Sequence, residues 1–337
     1  MKVWNVPIES LEERYSAQWA EWFPREFHNL GVDFTTVEGE SLSDKIEVGS
    51  FLDVYSTNFY KAKQLCSLIK YIRNGEIKDG DILFINDLWF PGLESLQYIR
   101  QGAKKKFKIA GIFHAGTYDS YDFLSRQGMC FWGEPLENSW LSFIDVIFVA
   151  TEYHKGLLVN NRKVDEKKIY VTGLPIYFDD YPKFKGEKQD IVVFPHRLDL
   201  EKCPMTFDSV KEVMASLNNG WQFIKSKEVV NSKKEYFELL SRSKIAVSFA
   251  LQETWGIAQQ EAVIYGNIPL VPDRLSYSEM YSPVFKFSNM RVFYEKLNSF
   301  LNPSNYILTE VKILRRSLRD KGKEAISKMV EIMKEVL

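Results

Sequence analysis

The stretch Ser243 to Asp273, SKIAVSFALQETWGIAQQEAVIYGNIPLVPD, leaves the chain few ways to fold. It opens with an apolar run, Ile245 to Leu251, that reads as a buried strand. A polar corner, Gln252 to Gly256, follows, and Gly256 to Gly266 then reads as a helix. Ile268 to Val271 reads as the next strand, with Pro269 and Pro272 marking its borders. With so little spare length this is one βαβ unit, which demands a parallel sheet covered by helices. Open parallel sheets bind ligands beyond the carboxyl ends of their strands, where helix N-termini attract phosphate.

Glu261 is the sole charge between Gly256 and Gly266 and shares a helical stripe with Ile257 and Tyr265. Such a carboxylate reaches solvent, caps a neighbouring loop, or accepts hydrogen bonds from ligand hydroxyls, as acidic residues do from ribose in other α/β sites. Glu253 lies in the corner, eight residues earlier. Two carboxylates so placed suit a ligand with hydroxyls at both ends and phosphates between.

The 337 residues suggest two domains. A formal net charge of −1 gives no sign of a polyanion-binding protein. Cys66, Cys130 and Cys203 are scattered without metal-ligand spacing and read as reduced thiols of a cytoplasmic protein. The 4 histidines show no metal-ligand pattern, so no bound metal is expected. Neither a signal peptide nor a membrane span is expected.

In the first half, Lys2 to Ile8 reads as a strand, followed by Glu9 to Ser16 without any glycine. A helix follows through Trp19, Trp22 and Phe23, whose spacing suits core packing and which Pro24 ends or kinks. Val32 to Val37 reads as a second strand, and Asp53 leads into a helix through Leu65, Leu68 and Ile72. Asp81 to Asp87 is apolar and then abruptly polar, which places Asn86, Asp87 and Trp89 beyond a parallel strand. Ile109 to His114 is another such strand, with Asp119, Tyr121 and Asp122 just after it. Tyr118 to Trp140 reads as aromatic and irregular, either the lining of an acceptor groove or a well-packed loop and helix. Asp145 to Thr151 and Lys168 to Ile176 read as strands, and Tyr177 to Lys188 as the interdomain linker.

In the second half, Asp190 to Phe194 opens a new sheet. Arg197 and Lys202 follow it; a fork and a point charge together can hold a diphosphate, or they are surface charges paired with Asp199 and Glu201. Val210 to Leu217 reads as helix, Trp221 to Ile224 as strand and Lys233 to Arg242 as helix. Tyr306 to Leu337 reads as one or two amphipathic helices carrying Ile326, Met329, Val330 and Met333.

The E-T-W-G-I-A-Q-Q-E-A of Glu253 to Ala262 resembles the E-P-F-G-x-x-x-x-E-A of retaining GT-B glycosyltransferases, in particular family 4. R-L-D-L-E-K at Arg197 to Lys202 is similar to their G-R-L-x-x-E-K-G, with His196 and Cys203 in place of glycines. The usual Pro is Thr254 here, in position to cap the helix. The resemblance implies an α/β fold of two Rossmann-like domains facing a cleft. Residues 1–178 would be the acceptor domain, 179–310 the nucleotide-sugar donor domain, and 311–337 a helix returning to the first.

It further implies transfer of a sugar from a nucleotide-diphosphate sugar, UDP-sugar foremost, to a hydroxyl with retained configuration and no required metal or other cofactor. Arg197 and Lys202 would take the diphosphate charge, Glu253 the sugar hydroxyls and Glu261 the ribose. Thr254, Trp255, Gly256 and Ile257 would also border the donor, and His114 would lie beside the reacting sugar. Asn86, Asp87, Trp89, Asp119, Tyr121 and Asp122 would face the acceptor. The chain also resembles small glycosyltransferases of bacteriophages in VPIESLEERYSAQW, DLWFPGLESLQYIR and FHAGTYDSYDFL. That likeness implies a hydroxymethylated pyrimidine in double-stranded DNA as acceptor, in a host cytoplasm. Its basic clusters are Lys104, Lys105, Lys106 and Lys108; Lys225, Lys227, Lys233 and Lys234; and Arg315, Arg316, Arg319, Lys321 and Lys323. A saccharide or lipid acceptor, a nucleotide-sugar-binding protein without transferase activity, or an epimerase or phosphorylase of the same fold are the alternatives, as monomer or homodimer.

Overall fold

The computed structural model describes residues 1–12, 14–42, 53–216 and 220–337. Glu13 after the first strand and Leu217 at the end of an expected helix lie outside the described residues. The chain divides into two compact units, Met1–Pro175 with Glu324–Leu337, and Ile176–Lys323.

Among the described residues the first unit holds six parallel strands, β1 (Val3–Val6), β2 (Phe34–Thr36), β3 (Ile82–Ile85), β4 (Lys108–Ile112), β5 (Val146–Val149) and β6 (Ile169–Val171). Their order is β2-β1-β3-β4-β5-β6, so the winding reverses between β1 and β3. Between them run α1 (Tyr15–Asn29), α2 (Val54–Arg73), α3 (Leu93–Gly102), α4 (Phe123–Arg126), α5 (Cys130–Phe143) and α6 (Glu152–Asn161).

Pro24 neither ends nor divides α1. The aromatic stripe Trp19, Trp22, Phe23 and Phe27 is buried, and Phe23 and Phe27 meet Phe84 of β3 at 5.4 and 5.9 Å. That packing outweighs the one hydrogen bond that Pro24 removes. The opposite face of the sheet is covered through Leu68 and Ile72 of α2, Leu96 of α3, Trp140 of α5 and Leu158 of α6, over Trp4, Leu83, Ile109 and Ile147. Asp53 starts α2 by accepting from the Tyr55 and Ser56 N–H groups (2.9 and 3.1 Å).

Of the two readings of Tyr118 to Trp140, the structure has the loop and helix, in large part as α4 and α5. Gly133 and Pro135 obscure the helix in the sequence, and packing supplies what propensity lacks. A Cβ on Gly133 would meet Thr117 Cγ2 at 2.6 Å, so the glycine lets α5 lie against the loop after β4.

The second unit holds β7 (Gln189–Phe194), β8 (Gln222–Lys225), β9 (Ser243–Val247), β10 (Ile268–Pro272) and β11 (Lys286–Phe287), all parallel. Their order, β11-β10-β9-β7-β8, puts the reversal between β7 and β9. The helices are α7 (Pro204–Ser216), α8 (Ser226–Val229), α9 (Lys233–Arg242), α10 (Ile257–Ile264), α11 (Tyr277–Met280), α12 (Met290–Leu301) and α13 (Asn305–Val336). The last is a single helix, whose Ile326, Met329, Val330 and Met333 are buried and belong to the first unit. Among the described residues no helix is long and apolar enough to cross a membrane.

Candidate functional site

In the second unit the loops after β7 and β9 flank the point where strand order reverses, where open α/β sheets place ligands. The first loop carries Arg197 to Lys202 and the second Gln252 to Gly256. The Leu251 N–H donates to the Glu201 carbonyl (2.7 Å), which ties the loops together. Lys202 is buried, and its Nζ donates to the Gln252 carbonyl (2.5 Å) and to Glu253 Oε2 (3.2 Å). The other oxygen of Glu253 accepts from the Gly256 N–H (2.9 Å). Burial pushes the Glu253 carboxyl up, but Lys202, His196 and the Gly256 N–H outweigh it and hold the group below the usual carboxylate range.

The cap of α10 therefore falls on Gly256 and not on Thr254. Gly256 has φ +73°, a left-handed conformation that threonine resists, and a Cβ there would stand 3.0 Å from the Tyr277 ring. The turn leaves Trp255 buried and Ile257 half-buried at the first position of α10.

Arg197 pairs with Asp199 and, at 2.5 Å, with Glu201. Two cations thus stand among three carboxylates, Asp199, Glu201 and Glu253. A ligand offering hydroxyls as well as phosphates matches that mixture better than a bare anion does. His196, in place of the expected glycine, is buried against Phe194 (5.1 Å between rings). Burial and then Lys202 press its pKa to about 3, so it is neutral and adds no charge to the corner.

Glu261 lies one turn into α10, with 6 % of its surface exposed. Tyr181 donates its hydroxyl to Oε1 (3.3 Å) and Tyr236 to Oε2 (3.1 Å). Neither tyrosine was visible from sequence as a site residue; Tyr181 falls in the linker and Tyr236 on α9.

In the first unit the structure brings Asn86, Asp87 and His114 together at the ends of β3 and β4. The His114 Nε2 donates to the Asn86 carbonyl (2.8 Å), so Nδ1 is bare and accepts from the Tyr15 hydroxyl (3.3 Å). Burial lowers the pKa of His114, against the pull of Asp87. Asp87 itself is pushed up by burial but held low by Lys61, whose Nζ lies 2.8 Å from Oδ2. Lys61 also donates to the Trp89 carbonyl (2.6 Å) and so clamps the loop after β3. A lone cation on the Lys61, Leu65, Leu68, Ile72 stripe was the signal that sequence reading passed over.

The remaining candidates belong to the loop after β4. Asp119 accepts from the Tyr121 N–H (2.9 Å) and Asp122 from the Leu124 N–H (3.0 Å), so both shape the turn, while Tyr121 is exposed. Beneath them lies Glu137, fully buried on α5. It accepts from the Trp89 indole (2.9 Å), the Thr117 N–H (2.7 Å) and the Arg162 Nε (2.8 Å). Among the described residues no group of three or more His, Cys, Asp or Glu is placed to hold a metal ion.

No protein-family model matches the chain. The tRNA-queuosine α-mannosyltransferase of Drosophila melanogaster is 25% identical over 174 residues, 41% of this chain and 46% of that protein. The chain thus aligns with less than half the length of that curated relative. Sucrose-phosphate synthase of Thermosynechococcus elongatus superposes with a TM-score of 0.69 over 99% of both chains, at 10% identity. TarM of S. aureus, solved with UDP, α-GlcNAc-glycerol and fondaparinux, superposes with a TM-score of 0.59 over 81% of this chain and 59% of that one, at 15% identity. The fold is the GT-B fold of glycosyltransferases, with two Rossmann-like parallel sheets and a long C-terminal helix.

Proposed function

We propose that the protein is a nucleotide-sugar-dependent, retaining glycosyltransferase of the family 4 kind. One observation carries the reading. Lys202, Glu253 and the Gly256 N–H form one linked corner at the reversal point of the second sheet, with Glu261 eight residues on. In the reaction the bond from the sugar's anomeric carbon to the β-phosphate oxygen breaks. A bond to the acceptor oxygen forms, and the acceptor's proton leaves with the diphosphate. Arg197 and Lys202 take the growing charge of that leaving group. Glu253 accepts from sugar hydroxyls, the backbone of Thr254 to Ile257 borders the donor, and Glu261 accepts from the ribose. His114, fixed in its tautomer by the Asn86 carbonyl, is the residue we assign to the reacting sugar. This chemistry needs positioned charge and no metal.

UDP is the favoured nucleotide, because TarM was solved with it. Asn86, Asp87 and Trp89, with Asp119, Tyr121 and Asp122, are proposed to face the acceptor. An acceptor hydroxyl on a nucleic acid draws support from the name of the tRNA-modifying relative. The narrower reading, hydroxymethylpyrimidine DNA and a phage source, rests on sequence likeness. Its basic clusters are partly neutralised, with Lys225 paired to Asp208 and Glu228, and Arg319 to Asp179. The test is a donor screen with UDP-, GDP- and ADP-sugars, alone and with hydroxymethylpyrimidine DNA, tRNA or oligosaccharides. Nucleotide release coupled to a sugar-sized mass gain on one acceptor supports the proposal. Failure to bind any nucleotide sugar refutes it.

A further inference from the structure

Glu261 is gripped more closely than a ligand-binding carboxylate requires. Its two oxygens each accept one phenol, Tyr181 on Oε1 at 3.3 Å and Tyr236 on Oε2 at 3.1 Å. The phenols come from separate elements, the segment ahead of β7 and the first turns of α9. Phe237 fixes both, with ring centroids 5.2 Å from Tyr181 and 5.5 Å from Tyr236. Tyr265, which ends α10, packs on Phe237 at 5.9 Å and donates to the Pro182 carbonyl (3.0 Å). The segment carrying Tyr181 is thus fastened to the helix carrying Glu261.

Each carboxylate oxygen has two acceptor positions, and a single phenol occupies one. One position per oxygen is left, side by side on a group that cannot turn. That is the pattern a cis-diol needs. We propose that Tyr181 and Tyr236 are positioning residues that hold Glu261 as a paired acceptor for the two ribose hydroxyls, and that they make the donor site select ribonucleotides over 2′-deoxyribonucleotides. The proposal rests on the reading of Glu261 as the ribose contact.

The titratable and charged groups facing Glu261 are Tyr181, Tyr236 and Lys233 from the packed elements, and Tyr265 from its own helix. Burial raises the Glu261 carboxyl, and Lys233, Tyr236 and Tyr181 pull it back. A carboxylate accepts two ribose hydroxyls only when ionised, so affinity falls as pH drops through this group's pKa. Removing a phenol removes a donor to the charged form, raises that pKa and moves the loss to higher pH.

The experiment is calorimetric titration of the full chain and its Tyr181→Phe and Tyr236→Phe variants with UDP and with 2′-deoxy-UDP, from pH 5 to 8. GDP or ADP and their 2′-deoxy forms replace these if the donor screen returns those bases. Each variant should lose about tenfold in affinity for the ribonucleotide and much less for the deoxynucleotide. The acid-side loss of binding should begin at higher pH. Equal losses for both nucleotides, or no loss, would overturn the inference. Glu261→Gln separates the two layers. A ribose-to-deoxyribose ratio unchanged in that variant sinks the ribose reading itself. A ratio collapsed there but intact in both tyrosine variants sinks only the role of the tyrosines.

Discussion

Glu253 and Glu261 sit on one loop-and-helix connection, yet opposite environments hold them. Glu253 is gripped by charge and backbone, Lys202 at 3.2 Å and the Gly256 N–H at 2.9 Å, and its carboxyl is held low. Glu261 is gripped by neutral phenols in an aromatic box, and its carboxyl is pushed up. A leaving diphosphate needs a site of strong, fixed charge, whereas a diol needs only oriented acceptors. On the proposed reading, the contrast would let one loop-and-helix connection serve two ends of one ligand.

Lys202→Met is the strongest way to break the contrast. It removes the cation from the Glu253 end and leaves Glu261 untouched. We expect kcat/KM for the donor to fall by about a thousandfold, measured by nucleotide release. A change of less than about tenfold would mean that the diphosphate lies elsewhere. A third carboxylate extends the comparison into the first unit. Glu137 is wholly buried and is paired through the Arg162 Nε at 2.8 Å. Arg162→Met strands that charge and should cost about 3 kcal/mol of stability, read from the urea midpoint. If the midpoint holds, the Trp89 and Thr117 hydrogen bonds alone suffice for Glu137.

Stability against pH should separate the pair by sign. The folded pKa of Glu253 is depressed, so its contribution is present above the unfolded value and is lost as pH falls through the folded one. Glu253→Gln should therefore destabilise at pH 7, by about 1–2 kcal/mol, and approach the parent protein as pH falls below the usual carboxylate range. The folded pKa of Glu261 is raised, so its contribution is present in acid and is lost as pH rises through the folded value. Glu261→Gln should leave the thermal midpoint at pH 7 unchanged or higher while weakening nucleotide binding. A matching loss of midpoint in both variants would erase the distinction.

The two ends also differ in how far the sequence discloses them. Strands such as Ile82–Ile85 and Ile268–Pro272 are legible because buried parallel strands must be continuously apolar. The corner is legible because a charge, a left-handed glycine and a helix start must follow one another closely in the chain. The setting of Glu261 is not, because Tyr181 and Tyr236 lie 80 and 25 residues away and nothing local marks them. Lys61 and Glu137 are intermediate cases: each is a lone charge on a buried helical stripe, the signal that singled out Glu261, and each finds its partner only through the tertiary fold. Helix α5 is only half legible, as one of two readings of an aromatic segment, because Gly133 and Pro135 lower its propensity; the Thr117 contact explains that glycine.

Gly256 is the joint between the two carboxylates, and replacing it should give the smallest effect and the cleanest separation. Its φ of +73° costs an alanine about 1 kcal/mol, and the new Cβ would stand 3.0 Å from the buried Tyr277 ring. The turn would shift to relieve that contact and carry with it the N–H that Glu253 accepts at 2.9 Å. Glu261, a full turn further into α10 and fastened by its phenols, has no reason to follow. Gly256→Ala should therefore lower kcat by about tenfold, through the Glu253 end, and keep the preference for ribonucleotides intact. Calorimetry with UDP and 2′-deoxy-UDP beside a rate measurement reads both halves. If the ribose preference collapses together with the rate, the helix moves as one body and the two carboxylates are a single device.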